Sequence, residues 1–337
     1  MPKKIIFFIL IISFFYSSMG MQSASSQTEN KDTAGKVDSE MNENSGSSFF
    51  SPGGLSTDTN PFWTPEETGF KTGLRYSMLV GIPVVHIVYG LTMWDWGEQK
   101  QWHSAHERWY QGDTDSGGAD KTGHFFAHYT VSRISYSVFS YTEDSQNKAL
   151  FYSAFTAALV GTMIEFGDAY TGRYGFSYED LTMDYAGIAV AVLLDKYPLL
   201  DGFFGITESY SASKAFKEEN DKTYFNFAGD YSGAKWLLSF KLAGFKNIGL
   251  DIPEFMRYIQ LDAGYYTRDY TDYDDDYNKA NGDVSDPRRH LFVGISINMR
   301  EVAKDLAGRS NKKAGWLAEQ PFKYYHVPIG YEKDKIL

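Results

Sequence analysis

Ionisable side chains break into otherwise apolar helical stretches at two places along this 337-residue chain. The first is Asp120-Lys121-Thr122-Gly123-His124-Phe125-Phe126-Ala127-His128, and the second runs from Glu165 and Asp168 to Asp180 and Asp184. A charged group on a buried helix face is costly unless it finds a partner, water or a ligand. Any fold of this chain must therefore bring these groups to each other or to something they bind.

The stretches around them read as helices. Apolar segments lie near 72–94, 121–141, 147–169 and 178–196, with Pro83 predicting a kink in the first. Ala149 to Ile164 carries no charged side chain, and its length is marginal for a hydrocarbon layer of about 30 Å. Small residues such as Ala157, Gly161, Ala186, Gly187 and Ala189 allow close helix contact. A bundle buried within the protein is the preferred reading, and a membrane-inserted bundle is its rival. Beyond Tyr197 the texture changes to strands at 224–230, 236–242, 258–265 and 291–299. These are too few for a closed outer-membrane barrel of about eight strands or more. The expected class is α+β: an N-terminal bundle of about four apolar helices followed by a small antiparallel β-sheet, resting on the membrane or on the helices. Arg300 to Ala307 reads as a closing helix with Gly308 just past its end, and 322–328 as an extended tail.

The ends and the composition speak to location. Lys3 and Lys4, the apolar run Ile5 to Tyr16 and the small residues after it read as a signal peptide over 1–24, cleaved after Gly20 or Ala24. A polar, disordered linker over 25–60 follows, then the bundle over 61–200 and the β region with its C-terminal tail over 201–330. The expectation is export to the periplasm and association with the outer membrane. With no cysteine there is no cysteine-borne lipid, disulfide or thiol chemistry. A net charge of −11 argues against nucleic acid and anionic lipid surfaces as partners. Aromatics at 17 % fit a protein set against membrane or envelope components. No P-loop, dinucleotide glycine fingerprint or Gly-x-Ser-x-Gly elbow occurs, so the common soluble-enzyme classes lose weight.

On a helix Asp120, His124 and His128 fall at i, i+4 and i+8, along one stripe. Such a row can hold a divalent metal or form a base–orienter pair, although Phe125 stands where zinc metalloproteases have Glu. The bland alternative has Asp120 capping the helix, His124 satisfying a carboxylate and His128 on a wet edge. Glu165 and Asp168 end the third apolar helix, where a carboxylate opposes the macrodipole. Lys121, Arg173 or a protonated histidine would have to offset them. Ser177 is a good N-cap for the fourth helix, with Asp180 in the capping-box position and Asp184 one turn deeper. His103, His106 and Glu107 read as a solvated helix face. The acidic run 272–276 reads as a strand–loop–strand tip with weak cation affinity, since Tyr277 replaces the EF-hand glycine. The candidate catalytic residues are thus His124, His128, Asp120, Glu165, Asp168 and Asp184. His124, Glu165, Asp168 and Asp184 should meet between helices, as a site or as a brace; metal, cofactor and small-molecule ligand stay unknown.

Asp120-Lys121-Thr122-Gly123-His124 with Tyr129, Glu165-Phe166-Gly167-Asp168, and Gly175 to Leu181 with Asp184 and Gly187 together resemble an uncharacterised exported family. It is typified by the predicted periplasmic lipoprotein YfiM. Asp230 to Gly233 and Arg289 to Ser296 are similar to that family's sheet region. The order Asp-Lys-x-x-His, acid-bearing helix end, Ser-x-x-Asp is shared more loosely with VanZ-like membrane proteins. The resemblance implies no activity, and lipid anchoring does not carry over to a chain without a lipobox cysteine. What results is an exported, membrane-associated envelope protein of unknown activity. The alternative is an envelope hydrolase, metal-dependent or not, acting on lipid or cell-wall material. It would use His124 or His128 as base, with Asp120, Glu165 and Asp184 as orienters or metal ligands.

Overall fold

The four apolar segments become helices close to their expected bounds. In the computed structural model, which describes residues 60–218, 227–309 and 311–337, the first is α1 (Gly69–Tyr76), a π-helical turn at Ser77–Gly81 and α2 (Ile82–Met93). The wider turn stands just before Pro83, whose missing N–H falls in the first turn of α2, where none is needed. Then come α3 (Ala119–Thr142), α4 (Gln146–Asp168) and α5 (Tyr178–Lys196). Helix α4 starts at the Ser145 N-cap and α5 at the Ser177 N-cap; each serine oxygen accepts the backbone N–H of the residue three positions on, Lys148 and Asp180. The signal peptide and the linker up to residue 59 lie outside the described residues.

Between the helices run two short strands, β1 (Ser104–Ala105) and β2 (Phe176–Ser177), paired in parallel. This pairing straps the segment carrying Glu107 onto the start of α5, so His103 to Glu107 is not the solvated helix face its spacing suggested. His103 is tied at Nε2 to Tyr174 O (2.9 Å), and His106 meets Glu179 at 2.7 Å.

The sheet is antiparallel, in the order β3 (Phe204–Tyr210), β4 (Ala234–Lys241), β5 (Ile259–Arg268), β6 (Arg288–Ile297) and β7 (Gly330–Ile336). The strand expected at 224–230 is absent where it can be seen: residues 227–229 form a 3₁₀ turn, Asp230 leads into the next one, and 224–226 lie outside the described residues. The acidic run is not a loop but a helix, Asp272–Asn281, because Thr271 and Asp274 form a capping box. Acids in a first helical turn suit the macrodipole, which removes the reason to seek a cation there. Gly308 lies inside the closing helix Met299–Gly308 rather than beyond it. The tail is extended only in part, beginning as a 3₁₀ turn at Pro321–Lys323.

Which face of this sheet is covered matters most. A ladder of apolar side chains crosses all five strands, Phe204–Phe240–Leu261–Ile295–Tyr331. Most of these side chains, with Leu238, Leu291, Val293 and Ile297, are exposed. Opposite them Thr207, Ser239, Lys241, Gln260, Asp262 and Ser296 are buried, with Ser239 Oγ donating to Asp262 at 2.6 Å. Soluble sheets place these classes the other way round. The sheet also curls. Glu208 N–H donates to Tyr324 O (2.8 Å) and His326 N–H to Glu208 O (2.7 Å), so Tyr325 lies along the free edge of β3. From Gly330 the same chain runs beside β6, at the far edge. Five extended residues reach at most about 18 Å, whereas six flat strands would hold these edges about 24 Å apart.

Bundle and sheet are joined by a buried ionic bridge. Arg133 on α3 pairs with Asp195 (2.9 Å) and Asp201 (2.8 Å), and Asp201 reaches Arg300 at 2.6 Å. On the outside of the bundle Phe70, Val80, Val84, Leu91, Phe151, Phe155 and Phe166 are exposed.

Candidate functional site

The polar clusters meet because α3 and α5 approach closely. Gly187 on α5 lies against the backbone of α3 at Phe125, where a Cβ would come within 2.1 Å of the Phe125 carbonyl oxygen. That approach sets Asp180 beside Lys121 and Asp184 beside both histidines. At the head of α3, Gly118 takes φ 93°, and a Cβ there would strike the Tyr110 ring. So the cap is glycine, and Asp120 has another task than capping.

One half of the cluster centres on Lys121, which is 2 % exposed. Its ammonium pairs with Asp180 (2.6 Å), Asp120 (2.8 Å) and Glu107. Asp120 also accepts the Tyr231 hydroxyl at 2.5 Å. The position of a capping-box acid at Asp180 is thus put to different use: Glu165 accepts the Ser177 N–H instead, at 2.9 Å. Glu107 and Tyr231 belong to this half but come from segments with no helical periodicity. An acid beside an aromatic-rich turn was the only signal available.

The other half centres on Asp184, fully buried. Its Oδ1 meets His124 Nδ1 at 2.9 Å and His128 Nδ1 at 2.6 Å. Glu165 Oε1 stands 3.9 Å from His124 Nδ1, and His124 Nε2 stands 3.7 Å from Asp120 Oδ1, which links the halves. His128 is 2 % exposed, not on a wet edge. Asp168 is turned aside and accepts the Trp96 indole N–H at 2.7 Å. Of the four groups expected to meet, His124, Glu165 and Asp184 do, and His128 takes the place of Asp168.

A cavity of about 660 Å³ opens between this cluster and the sheet, lined by Asp120, His124, His128, Phe126, Glu208, Tyr231 and Trp236 among others. His124 keeps 20 % of its side-chain surface accessible, whereas Asp184 is sealed behind it. The charges are unequal, with acids in excess. Burial and the charges of Asp120 and Asp180 push Glu107 up to about 8, and burial with Asp120 pushes Asp180 up to about 6. Burial opposes the imidazolium of His124, but Asp180, Asp120 and Asp184 outweigh it and hold the ring well above its ordinary value. At neutral pH His124 is therefore a proton donor or cation rather than a free base.

A pH test follows for Glu107. Its folded value lies above the unfolded 4.5, so its contribution is complete below 4.5 and is lost as pH rises through about 8. Glu107→Gln stays neutral and should keep what the parent loses. With 30 % of the side chain accessible, screening reduces the difference to ~1–3 kcal/mol at about pH 9. Denaturant titrations at about pH 5 and about pH 9 check this; a gap of equal size at both would refute it.

Fold and site define an α+β protein whose helical bundle presents a buried acid–histidine cluster at the floor of a cavity. Residues 106–196 match the model of a family described as predicted periplasmic lipoprotein (DUF2279), and over that segment the chain is similar to this uncharacterised family. The match begins just after β1 and runs through α3, α4, β2 and α5, which carry most of the cluster, and it ends before the five-stranded sheet. The likenesses at Asp230–Gly233 and Arg289–Ser296 lie outside it, and the looser VanZ-like order is not shown by it. No curated protein and no solved structure matches.

Proposed function

We propose that this is an exported envelope protein seated against a membrane, with its apolar outer faces on lipid and its acid–histidine cluster serving the cavity within. The observation that carries the reading is the inverted sheet. A ladder of exposed apolar side chains backed by buried Ser239, Asp262, Gln260 and Ser296 suits hydrocarbon outside and a polar interior. The exposed apolar residues of α1, α2 and α4 agree with it, and Gly69–Met93 and Gln146–Asp168 are both long and apolar enough to cross a bilayer. On β7, Lys333 and Lys335 share the outward rows with Val293 and Leu291, where long side chains reach toward headgroups.

Flotation of the purified full chain with neutral phospholipid vesicles tests the reading. The protein should float with the vesicles and aggregate without detergent. Val293→Arg, on the outward face, should weaken flotation by at least ~10-fold, since an arginine on a lipid-facing strand costs ~2–4 kcal/mol near the bilayer midplane. A monodisperse protein that stays out of the vesicles in plain buffer would defeat it.

A second reading, an envelope hydrolase acting on lipid or cell-wall material, is favoured by one arrangement. Buried Asp184 orients His124, whose ring borders the cavity. Held protonated, His124 would give a proton to a leaving group rather than take one as base. Asp120 and Glu165 flank the ring from opposite sides.

A further inference from the structure

Two atoms in the sealed half of the cluster lack partners. His128 Nε2 and Asp184 Oδ2 have no hydrogen bond among the described residues, although His128 is 2 % and Asp184 0 % exposed. Orphaned polar atoms this deep are rare, because each forfeits its hydration without return. Both lie beside Gly161 on α4, where a Cβ would come within 2.6 Å of Asp184 Oδ2 and 2.9 Å of His128 Nε2. The helix has been left bare at the point where these groups crowd together.

The donors around that point form a recognisable set. Ligand atoms of His124, His128 and Asp184 lie within 4.8 Å of one another. Glu165 Oε1 adds a fourth, 3.9 Å from His124 Nδ1. Around a tetrahedral zinc ion, with bonds of about 2.0–2.1 Å, ligand atoms sit roughly 3.3 Å apart. The contacts of 2.6 and 2.9 Å at Asp184 Oδ1 are hydrogen bonds made through the histidines' Nδ1 atoms, and they leave His128 Nε2 and Asp184 Oδ2 as the free ligand atoms facing the bare helix at Gly161. Two imidazoles with two carboxylates is borderline nitrogen–oxygen chemistry, suited to zinc and its first-row neighbours and poorly suited to magnesium or calcium. Protein ion pairs alone leave the set unsatisfied. Asp184 Oδ1 receives both histidines while its Oδ2 receives nothing.

We propose that His124, His128 and Asp184, with Glu165 as the fourth ligand, bind one divalent transition-metal ion of the zinc class. The ion stands between α3, α4 and α5, just behind the cavity floor, and displaces the proton His124 otherwise carries. Its position is independent of the membrane seat, so failure of one proposal leaves the other standing.

The full chain, purified in detergent and stripped with chelator, is titrated with zinc and, separately, with magnesium. Zinc should bind at about one ion per chain and raise the melting temperature, and magnesium should do neither. His128→Gln and Asp184→Asn should each weaken zinc at least ~100-fold. Gly161→Ala removes no ligand, yet its methyl group invades the site, and it should weaken zinc as well. Cobalt gives a readout that needs no variant: the parent chain should show the intense visible bands of a four-coordinate ion. Absence of stoichiometric zinc binding overturns the proposal, as do unchanged affinities in folded variants. Should the variants fail to fold, weak six-coordinate cobalt bands in the parent overturn it.

Discussion

Lys121→Met should cost about 3–5 kcal/mol of stability near neutral pH, the usual loss when one partner of a buried ion pair is removed. The side chain is 3 % exposed and its ammonium is shared by Asp120, Asp180 and Glu107, from three different stretches of chain. Methionine fills much the same volume, so the change is mainly one of charge. Removing the cation leaves three carboxylates facing each other in a site that water reaches poorly. They can escape only by taking up protons, and Glu107 and Asp180 are already held above their ordinary values. The deficit should therefore shrink at about pH 5 and widen at about pH 8. Urea titrations of parent and variant at both pH values measure it. A loss under ~1 kcal/mol at neutral pH would show that the ammonium does not brace the helices.

This reliance on tertiary neighbours explains what the amino-acid order reveals and what it hides. The long helices are legible because apolar length and a serine cap are local properties, as at Ser177 and α5. Strands β4, β5 and β6 are legible for a similar reason, since alternation persists over eight to ten residues. Strand β7, Gly-Tyr-Glu-Lys-Asp-Lys-Ile, is hidden: it lies at an edge, largely exposed, and needs no alternation. Strand β3 carries Gly205, Thr207, Glu208 and Ser209, and its pairing with β4 rather than its composition makes it a strand. Helix Asp272–Asn281 looks like an acidic loop until Thr271 is seen capping it.

At the site, helical spacing correctly places Asp120, His124 and His128 on one stripe, and Asp184 opposite them. It says nothing of Trp96, whose indole draws Asp168 away, or of Tyr231, whose hydroxyl holds Asp120 from a turn more than a hundred residues on. Nor does spacing separate Glu107 from His103 and His106. Only the β1–β2 strap carries Glu107 to Lys121.

Gly187→Ala should be the most damaging single methyl group in the bundle. Its Cβ would lie 2.1 Å from Phe125 O, 3.0 Å from Phe125 C and 3.0 Å from Tyr129 N. All three are backbone atoms of α3, so no side chain can swing clear, and α5 must move off as a body. The expected cost is ~3 kcal/mol or more, at the upper end for overpacking. Because the same approach places Asp180 against Lys121 and Asp184 against His124 and His128, the displacement should loosen both halves of the cluster together. Gly123→Ala is the internal control. A Cβ there would meet only the Trp236 and Tyr231 rings, at 3.7 and 3.8 Å, which is ordinary contact. Within α3 that change should be neutral or stabilise by up to ~1 kcal/mol through helix propensity. Thermal and denaturant unfolding of the two variants, side by side with the parent, gives the comparison. If they shift stability equally, the close α3–α5 approach is not what assembles the site. If Gly187→Ala falls and Gly123→Ala does not, the chemistry of the cluster depends on one missing methyl group between two helices.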